Sequence, residues 1–344
     1  MGITNETLQM LEQFDKPAFI ADHAKVLHAN SKAQALQINE GSEPAFLNVL
    51  KETAGNSNTV FSTCLHGIDY TVSSSPLGEN HLFIMDSESL VQQLQSIIRA
   101  AQQLRAPLSA LTSSVNLLKD DRSDENLGKT SKQLLSLQRA VRNMSDASLF
   151  LSDRSGKKET VNLTAYLDEI VQKLQQHFQN SQISISYTGL TERSYCSVDI
   201  ALLERAIYNM VSNSLKAGST ALEIGAKVIG KTLSLTISDN GCGMTNEQKS
   251  HILDMYRSDP DWIASGYGLG LGMMIVYAAA KAHNGTLLIN DNEPHGCKIT
   301  LTLTIEKGDS MVRQKPVNII IDPLGGADAL LLELSDVLPS NEFI

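Results

Sequence analysis

The sequence of 344 residues is poor in the features that mark secreted, membrane-spanning and nucleic-acid-binding proteins. It has four cysteines and no CxxC pair, which argues against a disulfide framework and against a zinc site. No apolar run approaches the length that crosses a bilayer, and the N-terminus has no signal-peptide pattern. The net charge of −10, without any cluster of lysine or arginine, argues against nucleic acid as a partner. We therefore expect a soluble, cytoplasmic protein.

Histidine is absent between His81 and His177, and most of this interval is predicted to be helical. Residues 88–152 contain almost no glycine, and residues 120–124 form a polar break between two helices. Apolar residues recur every seven positions in these helices, in series that begin at Leu94, Ile97, Leu127 and Leu137. Because one apolar seam per helix buries little alone, we expect two copies to form a dimeric four-helix bundle. An ordinary core hairpin within one chain is the alternative.

Residues 1–87 are predicted to form a small α/β unit. Short strands are expected near residues 17–21, 25–29, 59–63, 68–72 and 81–85. Asn30 is expected to cap a short helix, residues 45–53 to form a second helix, and residues 76–80 to form a turn. This order of elements resembles a PAS sensor domain. Four histidines lie in the unit, but none has a ligand pattern, and the ligand of the PAS-like domain is unknown.

Three short islands organise the C-terminal half of the chain. They are residues 209–216, residues 239–243 and residues 266–272. The first lies on an amphipathic helical pattern, the second follows a predicted strand, and the third precedes a predicted helix. One glycine-rich island alone is usually only a flexible turn, but three islands in this order predict a nucleotide pocket.

Each island offers a group that suits ATP and a divalent ion. The Asp239 carboxylate can accept a hydrogen bond from the adenine amino group, and Gly241 and Gly243 let the backbone approach a flat base. Asn213 offers an amide oxygen to Mg²⁺, an ion that takes few protein ligands and relies on substrate phosphates. Lys216, one turn further along the helix, can neutralise phosphate. Backbone N–H groups at the start of the following helix can cradle phosphate oxygens.

Together the islands resemble the ATPase domain shared by sensor histidine kinases, DNA gyrase, the Hsp90 chaperone and the MutL repair proteins. They resemble its N box, G1 box and G2 box, and residues 253–257 resemble the F box of the kinases. The resemblance covers about residues 155–306. It implies ATP and Mg²⁺ as cofactors, Asn213 as the Mg²⁺ ligand, and these ATP-binding residues: Asn209, Asn213, Lys216, Asp239, Gly241, Gly243, Tyr256, Arg257, Gly266, Gly268, Leu269 and Gly270.

Residues 102–108 resemble the phosphoacceptor box of the histidine kinases, whose pattern is His-Glu-Leu-Arg-Thr-Pro-Leu. The sequence here is Gln-Gln-Leu-Arg-Ala-Pro-Leu, so Gln102 stands at the histidine position and Gln103 at the acidic position. An imidazole nitrogen attacks a γ-phosphoryl group, whereas a carboxamide is a poor nucleophile. We therefore predict that the chain lacks a phosphoacceptor of its own and that no catalytic residue is certain.

The predicted fold class is multidomain α+β. It comprises a PAS-like sensor domain (1–87), a dimerisation hairpin (88–152), an α/β sandwich ATP-binding domain (153–308) and a C-terminal extension of unknown role (309–344). The third part is expected to contain a helix over residues 161–178, two short strands near 183–187 and 197–199, and a sheet completed by residues 222–228, 233–237, 286–289 and 298–305. In the fourth part, residues 317–321 are predicted as a strand and residues 327–338 as an amphipathic helix.

These patterns leave three functions open. The first is a regulatory pseudokinase of a two-component-type system that binds ATP and signals by conformation. The second is an active kinase that phosphorylates a partner protein, either on a histidine of a related kinase or on Ser/Thr. The third is a slow ATPase switch, which Asn209 argues against, because related hydrolases carry a glutamate there as the water-activating base. The expected partners are a second copy, a related kinase in a heterodimer, and a response regulator.

Overall fold

The first group of elements forms a small unit of both helices and strands. The structure is a computed structural model. It describes residues 5–22, 24–44, 47, 59–66, 68–87, 104–150, 158–245, 248–249, 272–305 and 328–344. The first group comprises α1 (Asn5–Glu12), β1 (Ala18–Ala21), β2 (Val26–Ala29), α2 (Ser31–Ala35), β3 (Thr59–Leu65), β4 (Ile68–Leu77) and β5 (Asn80–Ser87). The predicted order of two strands, a short helix and three strands is confirmed. The helix predicted over residues 45–53 lies outside the described residues apart from residue 47.

Asn30 caps α2, as predicted. Its Oδ1 accepts hydrogen bonds from the N–H groups of Ala33, at 2.9 Å, and Ala18, at 3.0 Å, so one buried side chain starts the helix and holds the first strand. The turn predicted over residues 76–80 is present but tighter than expected, because β4 continues through Pro76 to Leu77 and β5 begins at Asn80. The described pairing between β3 and β4 ends at Ser74. Among the described strands only β5 therefore lies beside Pro76, where the missing N–H is tolerated.

The second group is a helical hairpin of α3 (Arg105–Asp120) and α4 (Asp124–Phe150), and its predicted polar turn is confirmed. The side chains at residue 104, just before α3, and at residues 111 and 118 within it are half-buried. The other heptad series faces outward, with exposed fractions between 39 and 52% at Leu108, Val115, Leu127, Leu134 and Val141. The hairpin therefore leaves an apolar stripe uncovered in a single copy. Gln102 and Gln103 lie outside the described residues.

The third group is an α/β sandwich. Its elements are β6 (Glu159–Asn162), α5 (Leu163–Phe178), β7 (Ser184–Thr188), β8 (Tyr195–Val198), α6 (Ile200–Lys216), β9 (Ala221–Ile229), β10 (Thr232–Asp239), α7 (Gly272–Ala282), β11 (Leu287–Asp291) and β12 (Cys297–Thr304). Apolar side chains of α5, α6 and α7 pack in one core with side chains of β9, β10 and β12. The paired strands β9 and β10 are as predicted.

Two details of this sandwich differ from the prediction. The helix expected from residue 161 begins at Leu163, because Val161 and Asn162 pair with β8 and the Asn162 side chain caps the helix. The two short strands β7 and β8 do not pair with each other. Instead, β7 runs parallel to β9, while β8 pairs with β6 in a separate two-stranded sheet.

One sheet of ten strands joins the first and third groups. Its order is β2-β1-β5-β4-β3-β11-β12-β10-β9-β7. The joint is an antiparallel pairing of β3 with β11, in which Leu288 lies opposite Phe61 and Ile289 opposite Val60. The Leu288 side chain belongs to the core of the N-terminal unit, whereas its neighbour Leu287 belongs to the core of the sandwich. The ranges 1–87 and 153–308 are therefore connected through backbone hydrogen bonds and a shared core residue.

The C-terminal segment, defined as residues 328–344, contains α8 (Ala329–Glu333) and a 3₁₀ turn (Ser340–Phe343). The helix predicted over residues 327–338 is thus shorter than expected. Asp328 caps its start, and the Ser335 hydroxyl donates to the carbonyl of Leu332 at 2.8 Å, where it competes with a continuing helix. The strand predicted over residues 317–321 lies outside the described residues. None of the helices that the structure describes has the length and apolarity required to span a bilayer.

Candidate functional site

Helix α6 carries the first island and is held firmly at its start. Asp199 caps it, accepting a hydrogen bond of 3.0 Å from the N–H of Leu202. The N–H of Asp199 itself donates to Nε2 of the buried His283 at 2.8 Å, and Nδ1 of His283 donates to a backbone carbonyl at 2.8 Å. Both nitrogens of a neutral imidazole are therefore used. These contacts fix the helix that presents Asn209, Asn213 and Lys216.

Asp239 ends strand β10 and is almost fully buried. Its Oδ2 accepts a hydrogen bond of 2.9 Å from the Ser214 hydroxyl, which ties the first island to the second. Its Oδ1 accepts hydrogen bonds from the N–H groups of Gly241, at 2.9 Å, and Cys297, at 3.1 Å. The carboxylate is thus oriented by three protein donors, and it retains lone pairs for a further one.

Gly241 and Gly243 lie where a side chain would not be tolerated. A Cβ at Gly241 would come within 2.8 Å of the carbonyl oxygen of Ala217, at the C-terminal end of α6. Gly243 has a φ of +72°, in the left-handed region that favours glycine. The N–H of Cys242 donates to the same Ala217 carbonyl at 3.0 Å. The G1-like loop is therefore packed directly against the helix of the N box-like island.

The start of α7 comes close to the same helix. A Cβ at Gly272 would lie 2.9 Å from Oδ1 of Asn209 and 3.5 Å from Oδ1 of Asn213. The structure thus brings together Asn209, Asn213, the last residue of the third island and, through Ser214, the Asp239 carboxylate. The remaining predicted site residues lie outside the described residues: Tyr256, Arg257, Gly266, Gly268, Leu269 and Gly270.

A buried ionic network lies at the same helix, and it was missed in the sequence. Arg139 of α4 makes three contacts: its Nη2 donates to Oδ1 of Asn209 at 2.8 Å, its Nε lies 3.2 Å from Glu333, and its Nη1 lies 3.0 Å from Asp336. Arg205 of α6 lies 2.9 Å from the other oxygen of Glu333. Three separate parts of the chain, namely α4, α6 and the C-terminal segment, therefore meet around two carboxylates.

Asn209 and Lys216 are both engaged by this network. Nδ2 of Asn209 donates to Glu333 at 3.0 Å and to the carbonyl of Arg205 at 2.8 Å, and the side chain is fully buried. Nζ of Lys216 lies 2.9 Å from Oδ2 of Asp336, and both side chains are buried. Lys216 was expected to serve phosphate from the helix surface. In this structure its ammonium group faces a carboxylate of the same chain.

The electrostatics of the network keep both carboxylates ionised. Burial raises the pKa of Asp336, but the cations Lys216 and Arg139 outweigh it and lower the pKa to about 2. Burial likewise raises the pKa of Glu333, and Arg205 and Arg139 bring it below the ordinary value. Burial lowers the pKa of Lys216, and Asp336 opposes that shift. The two carboxylates thus act as fixed negative charges at neutral pH.

A weak signal for this network existed in the sequence. Arg205 stands inside the apolar periodicity of α6, and Glu333 interrupts the apolar run of residues 329–334. Charged residues at such positions are rarely buried without a partner. The sequence could indicate that each needed an opposite charge, but it could not pair residues 128 positions apart.

Comparisons with known proteins identify relatives of the part of the chain that carries this site. Residues 198–307 match the family described as histidine kinase-, DNA gyrase B-, and HSP90-like ATPase. Sporulation kinase B of Bacillus subtilis is 26% identical over 227 residues, covering 64% of this chain and 51% of its own length. The sensor protein kinase WalK of Staphylococcus saprophyticus is 22% identical over 317 residues, covering 86% of this chain and 50% of its own length. The chain therefore spans about half the length of these two relatives.

Among solved structures, the histidine kinase AdeS of Acinetobacter baumannii is similar to 59% of this chain and aligns over 98% of its own. The sequence identity is 18% and the TM-score is 0.48.

Proposed function

Because this chain belongs to the histidine kinase family and carries an ATPase domain of the type shared with DNA gyrase B and HSP90, we propose that it is a two-component-type signalling protein that binds Mg-ATP at α6 and β10. The observation that carries the ATP site is the oriented carboxylate of Asp239 beside the packed Gly241 loop. Asp239 accepts the adenine amino group, Asn213 supplies an oxygen to Mg²⁺, and Lys216 neutralises phosphate. The Mg²⁺ ion, when bound, supplies charge neutralisation for the phosphates.

The residues present fit this pair of ligands. Among the described residues no group of three or more His, Cys, Asp or Glu side chains could hold a metal by itself. Mg²⁺ at a nucleotide site requires only one or two protein ligands, because phosphate and water oxygens complete its coordination. The amide of Asn213 is therefore a sufficient protein contribution. The family resemblance assigns the F box-like and G2 box-like residues from Tyr256 to Gly270, which lie outside the described residues, to the same proposed pocket.

The proposed role is that of a regulatory pseudokinase. Gln102 stands where the phosphoacceptor histidine is expected, and no histidine lies between residues 81 and 177 to replace it. Residues 1–87 serve as a PAS-like sensor, and the hairpin dimerises with a second copy or with a related kinase through its exposed apolar stripe. A response regulator is a further partner. Hydrolysis of ATP is disfavoured because Asn209, at the position of the hydrolytic base, is fully buried and bound to Arg139 and Glu333.

Calorimetry on the full chain tests the ATP site. We expect Mg-ATP to bind, and Asp239→Asn to weaken binding on the order of 1–3 kcal/mol, since it removes a charged acceptor. Asp199→Asn is the matched control, because asparagine caps a helix about as well as aspartate and the residue lies at the other end of α6. Absence of binding at millimolar Mg-ATP would overturn the proposal.

Restoring the acceptor box tests the pseudokinase role. Incubation of wild-type protein with labelled ATP is expected to leave no acid-labile phosphate on the hairpin. The double variant Gln102→His with Gln103→Glu supplies the missing nucleophile and base. Phosphoryl transfer depends mainly on positioning and electrostatics, so a competent pocket would label the restored histidine. The control, Gln102→Asn with Gln103→Glu, carries the carboxylate without the imidazole and stays unlabelled. Acid-labile label on a wild-type histidine, such as His177 or His251, would contradict the pseudokinase role.

A second candidate function is an active kinase that phosphorylates a partner in trans, on a histidine of a related kinase or on Ser/Thr. It is favoured by the retention of Asn213, Lys216 and Asp239 in a chain that has lost its own acceptor. Label on the restored histidine would support this candidate. ATP binding without any label on the restored histidine would instead favour a pure binding module.

A further inference from the structure

Two carboxylates of the C-terminal segment contact a cation and an amide of the proposed nucleotide site. Asp336 lies 2.9 Å from Nζ of Lys216, and Glu333 accepts a hydrogen bond of 3.0 Å from Nδ2 of Asn209. Both carboxylates are at least 95% buried. A carboxylate and a phosphate oxygen are the same kind of partner for an ammonium or guanidinium group, since both are anionic acceptors of charge-assisted hydrogen bonds. The Asp336 carboxylate is therefore the same kind of partner for Lys216 as the phosphate of the proposed site would be.

The segment is attached to the hairpin as well as to α6. The Ser136 hydroxyl donates to Asp336 at 2.8 Å, and Nζ of Lys132 donates to the carbonyl of Leu338 at 2.5 Å. Arg139 contacts Asp336, Glu333 and Asn209 at once. The carboxylates thus hold α4 against α6, and any loss of the Asp336 contact also loosens the hairpin from the sandwich.

A phosphate group and the Asp336 carboxylate cannot both bind the Lys216 ammonium group as strongly as either one binds it alone. The Lys216 side chain is 8% exposed, so a phosphate oxygen that approaches it enters a site already containing a buried negative charge. Like charges repel strongly when both are shielded from water. Bound nucleotide therefore favours an arrangement in which Asp336 has left Lys216, and a ligand that binds one of two arrangements better shifts the population towards it.

We propose that the C-terminal segment is a built-in competitor for nucleotide phosphate, which holds α6 and the hairpin together until Mg-ATP displaces Asp336 from Lys216. This inference rests on the proposed ATP site at α6 and β10. Because such coupling is reciprocal, the segment weakens nucleotide binding by the same factor by which nucleotide weakens the docking of the segment.

Calorimetry with Mg-ATP on the full chain compares wild type, Asp336→Asn and Glu342→Gln. Asp336→Asn removes the competing charge and is expected to tighten Mg-ATP binding by about tenfold, within the usual range of such couplings. Glu342→Gln is the matched control: it removes a carboxylate from the same segment, but one that faces His177 at 3.7 Å and not Lys216. Its affinity for Mg-ATP is expected to equal that of wild type.

The possible results distinguish a failure of the competitor proposal from a failure of the proposed ATP site. Equal affinity in wild type and Asp336→Asn would overturn the competitor and leave the ATP site standing. No binding to either protein would overturn the ATP site and, with it, the competitor. Tighter binding to Asp336→Asn than to wild type would support both.

Hydrogen exchange on unmodified protein gives a second measurement that does not depend on a variant folding. Amides of the segment, such as those of Leu332, Leu334 and Leu338, donate to backbone carbonyls within it. Saturating Mg-ATP is expected to accelerate their exchange, whereas a purely structural segment would exchange at the same rate or more slowly. Unchanged or slower exchange with nucleotide bound would overturn the competitor. If Asp336→Asn does not fold, Asp336→Ser, which leaves room for water beside the cations, replaces it in the calorimetry, and the exchange result decides.

Discussion

Nδ2 of Asn290 donates a hydrogen bond of 2.8 Å to Oγ1 of Thr59, a residue 231 positions earlier in the chain. Both side chains are buried, and they lie on the two strands at which the N-terminal unit meets the sandwich. A buried hydrogen bond of this kind stabilises the joint, because separating the two strands breaks it. We infer that the contacts between β3 and β11 break together, in one cooperative step.

The shared core residue at this joint gives a prediction about stability. Leu288→Ala is expected to lower the free energy of unfolding by about 2–5 kcal/mol, because it opens a cavity in the core of the N-terminal unit. Hydrogen exchange should then accelerate in β4 and β5, although the substitution lies in the ATPase domain. Leu287→Ala, on the other face of the same strand, is the control and should loosen β9 and β10. If exchange accelerated in the same strands in both variants, the assignment of Leu288 to the core of the N-terminal unit would be wrong.

The exposed stripe of the hairpin gives a prediction about assembly. Wild-type protein is expected to be a dimer at micromolar concentration, and Leu108→Glu with Leu134→Glu should yield monomers by placing charge in the apolar seam. Light scattering coupled to size exclusion measures the mass of each protein. Ser109→Glu with Asn116→Glu adds the same charge at exposed polar positions and should remain dimeric. A monomeric wild type would show that the stripe does not pair with a second copy.

His283 gives a prediction about pH. Burial, and further the charge of Lys158, lowers its pKa below the ordinary value, against the opposing hydrogen bond to Ala279. The unfolded chain therefore takes up this proton first, near pH 6.5. The contribution of neutral His283 to stability is full above that pH and is lost as the pH falls towards the folded-state pKa.

Unfolding by denaturant between pH 5.5 and 7.5 measures this contribution. His283→Gln should be less stable than wild type at pH 7.5, and the difference should shrink as the pH falls. The control uses His28→Gln, in the N-terminal unit, as a second background: adding His283→Gln there should cost the same stability at each pH as adding it to wild type. A constant difference between wild type and His283→Gln across this range would show that the proton on His283 is not linked to folding.

Local chemistry made much of the fold predictable from the sequence. The cap formed by Asn30, the alternation of β9 and β10, and the polar turn of the hairpin each depend on residues a few positions apart. The meeting of Asn213, Asp239 and Gly272 was also predictable, because the three islands followed a family order that fixes their geometry. Sequence alone could therefore predict the elements and the part of the site that they carry.

Contacts between distant parts of the chain could not be predicted. Nothing local marks Thr59 as the partner of Asn290, or Asp336 as the partner of Lys216, since each pairing is specified only after both elements have packed. Likewise, nothing local marks β9 as the parallel partner of β7, although β8 is nearer in the sequence.

The position of Leu288 has a consequence for the order in which the chain is made. The last strand of the N-terminal unit ends at Ser87, and the leucine that completes its core follows about 200 residues later. At roughly 5–20 residues per second, the ribosome needs about 10–40 s to reach it. Throughout that interval β3 presents an unpaired edge on the nascent chain, and such edges pair readily with strands of other chains. The period of synthesis before β11 emerges is therefore when the N-terminal unit is most exposed to aggregation.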